Sequence, residues 1–235
     1  MLRTALLLTV LAAPAAAQRA AFELPEGCTA YATIQKQACV VTHLYRCEGD
    51  PDGWQWRVDI EENGPTFYST IDAETRWQES HHLIAGVVER LEPGAADPAS
   101  FSTLIGTGRD DFDFTTIDDQ GYRTRYVGVD RLTGESVEVD GVVLDRTEFD
   151  VTATDPGSGV TLWTSTGSEY IQRDWRTFVS GTSTVTNSEE TYDQDLTPVE
   201  IRLPGEEGFL SAHPKFGCGA LMSALPAPLT LTGSL

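Results

Sequence analysis

Four cysteines constrain this chain more than any other feature: Cys28, Cys39 and Cys47 sit close together, and Cys218 lies far along the sequence. The stretch ACVVTHLYRC at 38–47 puts His43 midway between two of them, so a metal site has to be weighed against disulfides. Val40, Val41, Thr42 and Tyr45 are β-branched or aromatic and favour a strand. On a strand, positions 39, 43 and 47 share a face, but neighbours among them stand about 13 Å apart, too far for one ion. The sequence therefore predicts no metal site here.

The expected compartment agrees. Residues 1–17, MLRTALLLTVLAAPAAA, combine Arg3, an apolar run from Leu6 to Leu11 and the small residues Ala15, Ala16 and Ala17. This is the pattern of a signal peptide cut before Gln18, and the run falls short of the roughly 20 apolar residues of a membrane anchor. A periplasmic or secreted domain spanning 18–235 follows, in an oxidising environment where four cysteines form two disulfides. Cys39 and Cys47 do not reach each other, because VVTHLYR contains no Gly, Pro, Asn or Asp to turn the chain. Two connectivities stay open. Cys28–Cys47 with Cys39–Cys218 suits a hairpin of 28–35 on 40–47 and is slightly favoured; Cys28–Cys39 with Cys47–Cys218 suits a looped N-terminus.

The chain carries 16 Lys and Arg against 36 Asp and Glu, a net charge of −20, which becomes −21 once Arg3 leaves with the signal. Nucleic acid and anionic membrane surfaces are poor partners for such a chain, and no stable membrane insertion is expected. The acidity is spread along the sequence, which reads as a solvated surface.

Strand and turn signals dominate the rest. WQWRVDIEE at 54–62 alternates, with Trp54, Trp56, Val58 and Ile60 on one face and Gln55, Arg57, Asp59 and Glu61 on the other. It follows the turn EGDPDG and meets Asn63-Gly64, a hairpin signal. Segment 74–91 is ambiguous between a long strand and a helix, and strand is preferred. In DPASFSTLIG, Asp97 as N-cap, Pro98 as first helical residue and Gly106 as stop predict one short helix over 98–105. Further strands are expected to turn at Thr133-Gly134, Asp140-Gly141 and Pro156–Gly159. The expected fold is all-β: an antiparallel meander forming a strongly curved sheet or half-open barrel, with one short helix.

The segments TIQKQAC, STIDAETRW, DPASFSTLIGTGRDDFDF, GVDRLTGESVEVDGVVLDRTEF, PGEEGF and HPKFGC resemble an exported protein family of marine-type alphaproteobacteria. The function of that family is unknown, so the resemblance, though it spans nearly all of the mature chain, implies no activity. In architecture alone the chain is similar to periplasmic lipoprotein-carrier half-barrels, a likeness that concerns fold and not function.

Catalytic constellations are thin. GSG at 157–159 sits in a turn, GTGRDD at 106–111 lacks the ending of a phosphate loop, and His81-His82 point to opposite faces of a strand. His213 reads as a loop histidine, and Asp110, Asp111 and Asp113 as a solvated strand start. No cofactor and no metal are expected, and an enzyme is disfavoured. Trp54, Trp56, Trp77, Trp163 and Trp175, with Phe67, Tyr126, Tyr170 and Phe178, fall on or beside expected strands and default to core packing. On the concave side of a curled sheet the tryptophans would line a ligand cavity. The leading expectation is a binding or carrier module for an apolar or amphipathic small molecule. A structural or protein-interaction component of the cell envelope comes second and a hydrolase a distant third.

Overall fold

The computed structural model describes residues 21–219, so the expected signal peptide lies outside the described residues. Thirteen strands form one sheet: β1 (Cys28–Lys36), β2 (Val40–Cys47), β3 (Gln55–Glu61), β4 (Gly64–Ile71), β5 (Trp77–His82), β6 (Val87–Leu91), β7 (Arg109–Asp118), β8 (Arg123–Val139), β9 (Val142–Thr154), β10 (Thr161–Gln172), β11 (Thr177–Asn187), β12 (Thr191–Asp195) and β13 (Pro198–Arg202). A single helix, α1 (Phe101–Thr107), interrupts them between β6 and β7. Each strand from β1 to β11 pairs antiparallel with the next, and β13 returns to pair with β1. The fold is the all-β, strongly curved meander with one short helix that the sequence predicts. Among the described residues no helix is long and apolar enough to cross a membrane.

The sheet's two edges, β12 and β13, are separated in sequence by Leu196 and Thr197 alone. Three Cα steps span at most about 11 Å, so the edges must approach at that point. Leu196 N–H still donates to Gly181 on β11, while the Thr197 carbonyl already accepts from Gln37 beside β1. Because β12 and β13 run in one direction, a single bent strand passes from one edge to the other. The edges are not laddered together, and the barrel remains open.

Buried side chains show the curl directly. Ala32, Ile34, Leu44 and Ile201, from β1, β2 and β13, share a cluster with Val142, Leu144 and Val179 from β9 and β11. The β8–β9 tip turns at Asp140-Gly141, both at positive φ as a two-residue hairpin loop requires. Asp140 accepts from Ile201 N–H at 2.9 Å and pairs with Arg202 at 3.1 Å, which docks that tip on β13. A second cluster, Ala30, Val41, Tyr45, Val58 and Ile60, is covered by Phe22 and Leu24 from the N-terminal segment and Phe209, Leu210 and Ala212 from the C-terminal one.

Both disulfides take the favoured connectivity. Cys28–Cys47 closes the β1–β2 hairpin, and Cys39–Cys218 joins residues 179 apart. No described cysteine is free. The sulfurs of Cys39 and Cys218 lie near the Glu62 carboxylate, but they are bonded to each other and offer no thiolate.

Three local expectations need correction. The helix begins at Phe101 rather than 98, because the Asp97 backbone is bridged to Asp113; Ser100 is the N-cap, its hydroxyl accepting from Thr103 N–H at 3.1 Å. Gly106 lies inside the helix, and Gly108, in the left-handed region, ends it. Segment 74–91 is neither one strand nor a helix: β5 and β6 form a hairpin turning through 83–86. Thr133-Gly134 is no turn, since β8 runs through it with a register shift between Leu132 and Ser136. A positive-φ glycine serves a bulge as readily as a turn.

Candidate functional site

The curled sheet forms a cavity, open to solvent, of about 590 Å³, within the roughly 300–1,000 Å³ range of small-molecule sites. Strand alternation builds its wall. Phe112 and Phe114 on β7, Tyr126 and Asp130 on β8, Phe149 and Val151 on β9, and Trp163 and Ser165 on β10 all line it. One side is aromatic. Trp77 packs edge-on against Phe114 at 5.3 Å and Tyr126 at 5.2 Å between centroids, Phe114 stacks on Tyr126 at 5.2 Å, and Tyr126 meets Trp163 at 5.9 Å. The mutual packing fixes ring orientation, so the wall is formed before any ligand arrives.

α1 covers part of the structure beside this cavity. Phe101 and Leu104 bury against Ile171, Leu132 and Phe178, and Pro98 and Ala99, just before the helix, line the cavity with Phe178. Glu74 holds the helix start: its carboxylate accepts from Ser102 N–H at 2.8 Å, Ser100 Oγ at 3.1 Å and Ser102 Oγ at 2.7 Å, and pairs with Arg176 at 2.9 Å. These donors and Arg176 outweigh desolvation and hold the Glu74 carboxyl below its usual range.

The opposite side is polar. Arg57 lies over the Phe67 ring, 5.0 Å from its centroid, and donates to Asp59 Oδ2 at 2.7 Å. Asp59 Oδ1 also accepts from Thr42 Oγ1 at 2.5 Å, and Lys36 Nζ stands 3.6 Å from that same oxygen and 3.2 Å from Ser180 Oγ. Lys36 is 1 % exposed. Burial pushes its ammonium down to about 8 against the opposing pull of Asp59. Burial alone would raise Asp59, but Arg57, Lys36 and the Thr42 hydroxyl together hold it below the usual carboxylate range.

Lys36 and Asp59 do not themselves line the cavity; of the charged residues that line it besides Arg57, Arg76 pairs with Asp72 at 2.6 Å and His82 with Glu89 at 3.3 Å. Asp130 and Glu169 also line it, and neither side chain makes a hydrogen bond or ion pair with any described residue. Burial, then the charges of Glu169 and Asp110, push Asp130 up to about 8. Burial likewise raises Glu169, opposed by Arg57 and Lys36.

The structure divides the five tryptophans. Trp56, Trp77 and Trp163 border the cavity, whereas Trp54 and Trp175 do not. Trp175 packs edge-on against Tyr31 at 5.7 Å, and the Trp54 backbone closes the turn before β3 by donating to Pro51. Val58 and Ile60, expected with Trp56 on the concave side, pack instead beneath the terminal segments, and Trp56 packs against that same cluster while also reaching the cavity's border. Trp56 stacks on Tyr45 and donates to Asp50 at 2.7 Å. Gln55, Arg57 and Asp59, the polar half of β3, take the inner side. Alternation reports which residues are buried, and here chain termini supply the burial.

Candidate catalytic residues do not converge. Asp111 pairs with Arg109, Asp113 pairs with Arg125, and Asp110 accepts from Ser100 N–H at 2.8 Å. His81 is held by Glu79, and His213 lies in a C-terminal loop where its carbonyl accepts from Gln35. His43 is buried, its Nδ1 2.9 Å from Thr33 Oγ1 and its ring stacked on Phe22 at 5.0 Å.

The chain matches no protein-family model, no curated protein and no solved structure.

Proposed function

We propose that this protein is a non-catalytic binding or carrier module for an apolar or amphipathic molecule, working in the periplasm or after secretion. The cavity carries the reading: about 590 Å³ of space with a preassembled aromatic wall. Ligand surface buried there is worth about 25 cal/mol per Å², with no covalent step required. Two disulfides support an oxidising compartment. Binding fits the cavity better than hydrolysis does, because its histidine, His82, is held by Glu89 and bonds to none of the cavity's serines.

Native mass spectrometry of the protein purified from its own periplasm is the test, since a carrier leaves with cargo. Titration with fatty acids, lipids and lipopeptides, read by fluorescence of Trp77 and Trp163 and by melting temperature, is the second arm. No co-purifying mass and no response in either signal would remove the carrier reading in favour of an envelope interaction protein.

A further inference from the structure

Every charged side chain on the cavity wall except two has a protein partner. Arg57 is neutralised by Asp59, Arg76 by Asp72, and His82 and Glu89 by each other. Asp130 and Glu169 are the exceptions. They belong to neighbouring parts of one wall: Asp130 on β8 faces Phe149 on β9, and Glu169 on β10 faces Thr147, two residues along that same β9. Two strand spacings plus two residues put their backbones on the order of 10 Å apart, so side chains reaching inward leave room for one small group between them.

A third group points the same way. Ser165 is only 7 % exposed and lines the cavity, and its hydroxyl has no described partner. It shares β10 with Glu169 and with Gly167, which has no side chain and sits opposite Phe149. An isolated carboxylate in such a place is costly, and a ligand cation is the partner that relieves the cost. Phe149 and Trp163 on the same wall bring aromatic rings to the cavity, and an aromatic ring attracts a cation that sits over its face.

We infer that the cavity takes a cationic amphiphile, with its alkyl or aryl body against the Trp77, Phe114 and Tyr126 wall and an ammonium head between Asp130 and Glu169. The inference rests on the carrier reading and narrows it to a ligand class. An acidic head would meet two unpaired carboxyls, while the nearest cations, Arg57 and Lys36, are already occupied by Asp59. Arg57 Nε is buried without a partner among the described residues, and an anionic probe is the arm that would expose it as an alternative anchor.

Binding of this kind is coupled to protons. Glu169, Asp110 and Arg131 act on Asp130, and Arg57 and Lys36 act on Glu169; the net result is that both acids hold their protons more tightly than usual when the cavity is empty. The ammonium displaces them. With Asp130 titrating at about 8, affinity for a permanent cation rises about tenfold from about pH 7 to about pH 9.

Isothermal titration of the full chain with decyltrimethylammonium, decyl sulfate and decanol tests this, in buffers of different ionisation enthalpy so that proton release is read on the wild type. The expected result is at least about tenfold tighter binding of the ammonium, with protons released and the pH slope lost in Asp130→Asn and weakened in Glu169→Gln. Melting curves confirm that the near-isosteric variants fold, and the wild-type proton count stands without them. Equal or tighter binding of sulfate or decanol, or no proton release, overturns the head-group inference and leaves the carrier reading intact. Failure of all three probes to bind overturns both.

Discussion

Gln55 on β3 donates from its side-chain amide to the backbone carbonyl of Trp175 at 3.0 Å, although 120 residues separate them. The same amide donates to the Arg176 carbonyl at 2.7 Å, and its oxygen accepts from the Tyr31 hydroxyl at 2.5 Å. One buried side chain thus fastens the β10–β11 turn to β3 and β1. Gln55→Leu leaves the part-buried Tyr31 hydroxyl and Arg176 carbonyl unpaired, the Trp175 carbonyl keeping Arg46, and is expected to cost about 2–4 kcal/mol in urea unfolding. Faster hydrogen exchange at 173–177 accompanies it; an unchanged midpoint would show that water replaces the tie.

The two disulfides differ in the loops they close. In the chain-entropy model, Cys39–Cys218, with a separation of 179, contributes about 5 kcal/mol, and Cys28–Cys47, with a separation of 19, about 3 kcal/mol. The Cys39→Ser/Cys218→Ser double variant is therefore expected to unfold at lower denaturant than Cys28→Ser/Cys47→Ser. The reverse order would show that strain or residual structure outweighs loop length.

Acid is expected to unfold the protein through His43. Burial depresses its imidazole from 6.5 to about 4, with Asp59 and the nearby Ser211 backbone opposing. The folded state then refuses a proton that the unfolded state accepts. Stability from this residue is full above about pH 6.5 and falls with pH towards about 4, a loss of about 3 kcal/mol. Urea unfolding of His43→Gln against pH should show a shallower slope over that window; an unchanged slope assigns the acid sensitivity elsewhere.

Asp59 and Lys36 form an unequal pair. Removing the carboxylate in Asp59→Ala strands a nearly inaccessible ammonium, at an expected cost of about 3–5 kcal/mol. Lys36→Met leaves Asp59 with Arg57 and Thr42 and is expected to cost less than half as much. Matched chemical denaturation of the two variants measures the asymmetry, and equal losses would contradict it.

Much of the strand order is legible in the sequence because tight turns announce themselves: Asn63-Gly64 and Asp140-Gly141 stand where the chain reverses. The β5–β6 reversal is not, because 83–86 reads Leu-Ile-Ala-Gly, an apolar run that looks like the strands around it. Asp97 carries the chemistry of an N-cap, but its backbone is already bridged to Asp113. The site is harder still. Trp77 and Trp163 stand out as large aromatics, whereas Asp130 and Glu169 are two of 36 acids and gain meaning only when β8 and β10 flank β9. The inward turn of Arg57 depends on Phe22 and Phe209 covering the other face of β3, a contact between chain segments nearly two hundred residues apart.

The bent strand that passes from β11 to β1 imposes an order in time. The hairpin made first is completed last: Lys36 waits for Pro198, and the Cys39 thiol waits for Cys218. Until then β1 offers an unfilled ladder to any extended chain nearby, and Cys39 has no reachable mate within its own hairpin. A polypeptide emerging residue by residue therefore cannot mature piecemeal; its first and last strands commit together, after synthesis has passed both.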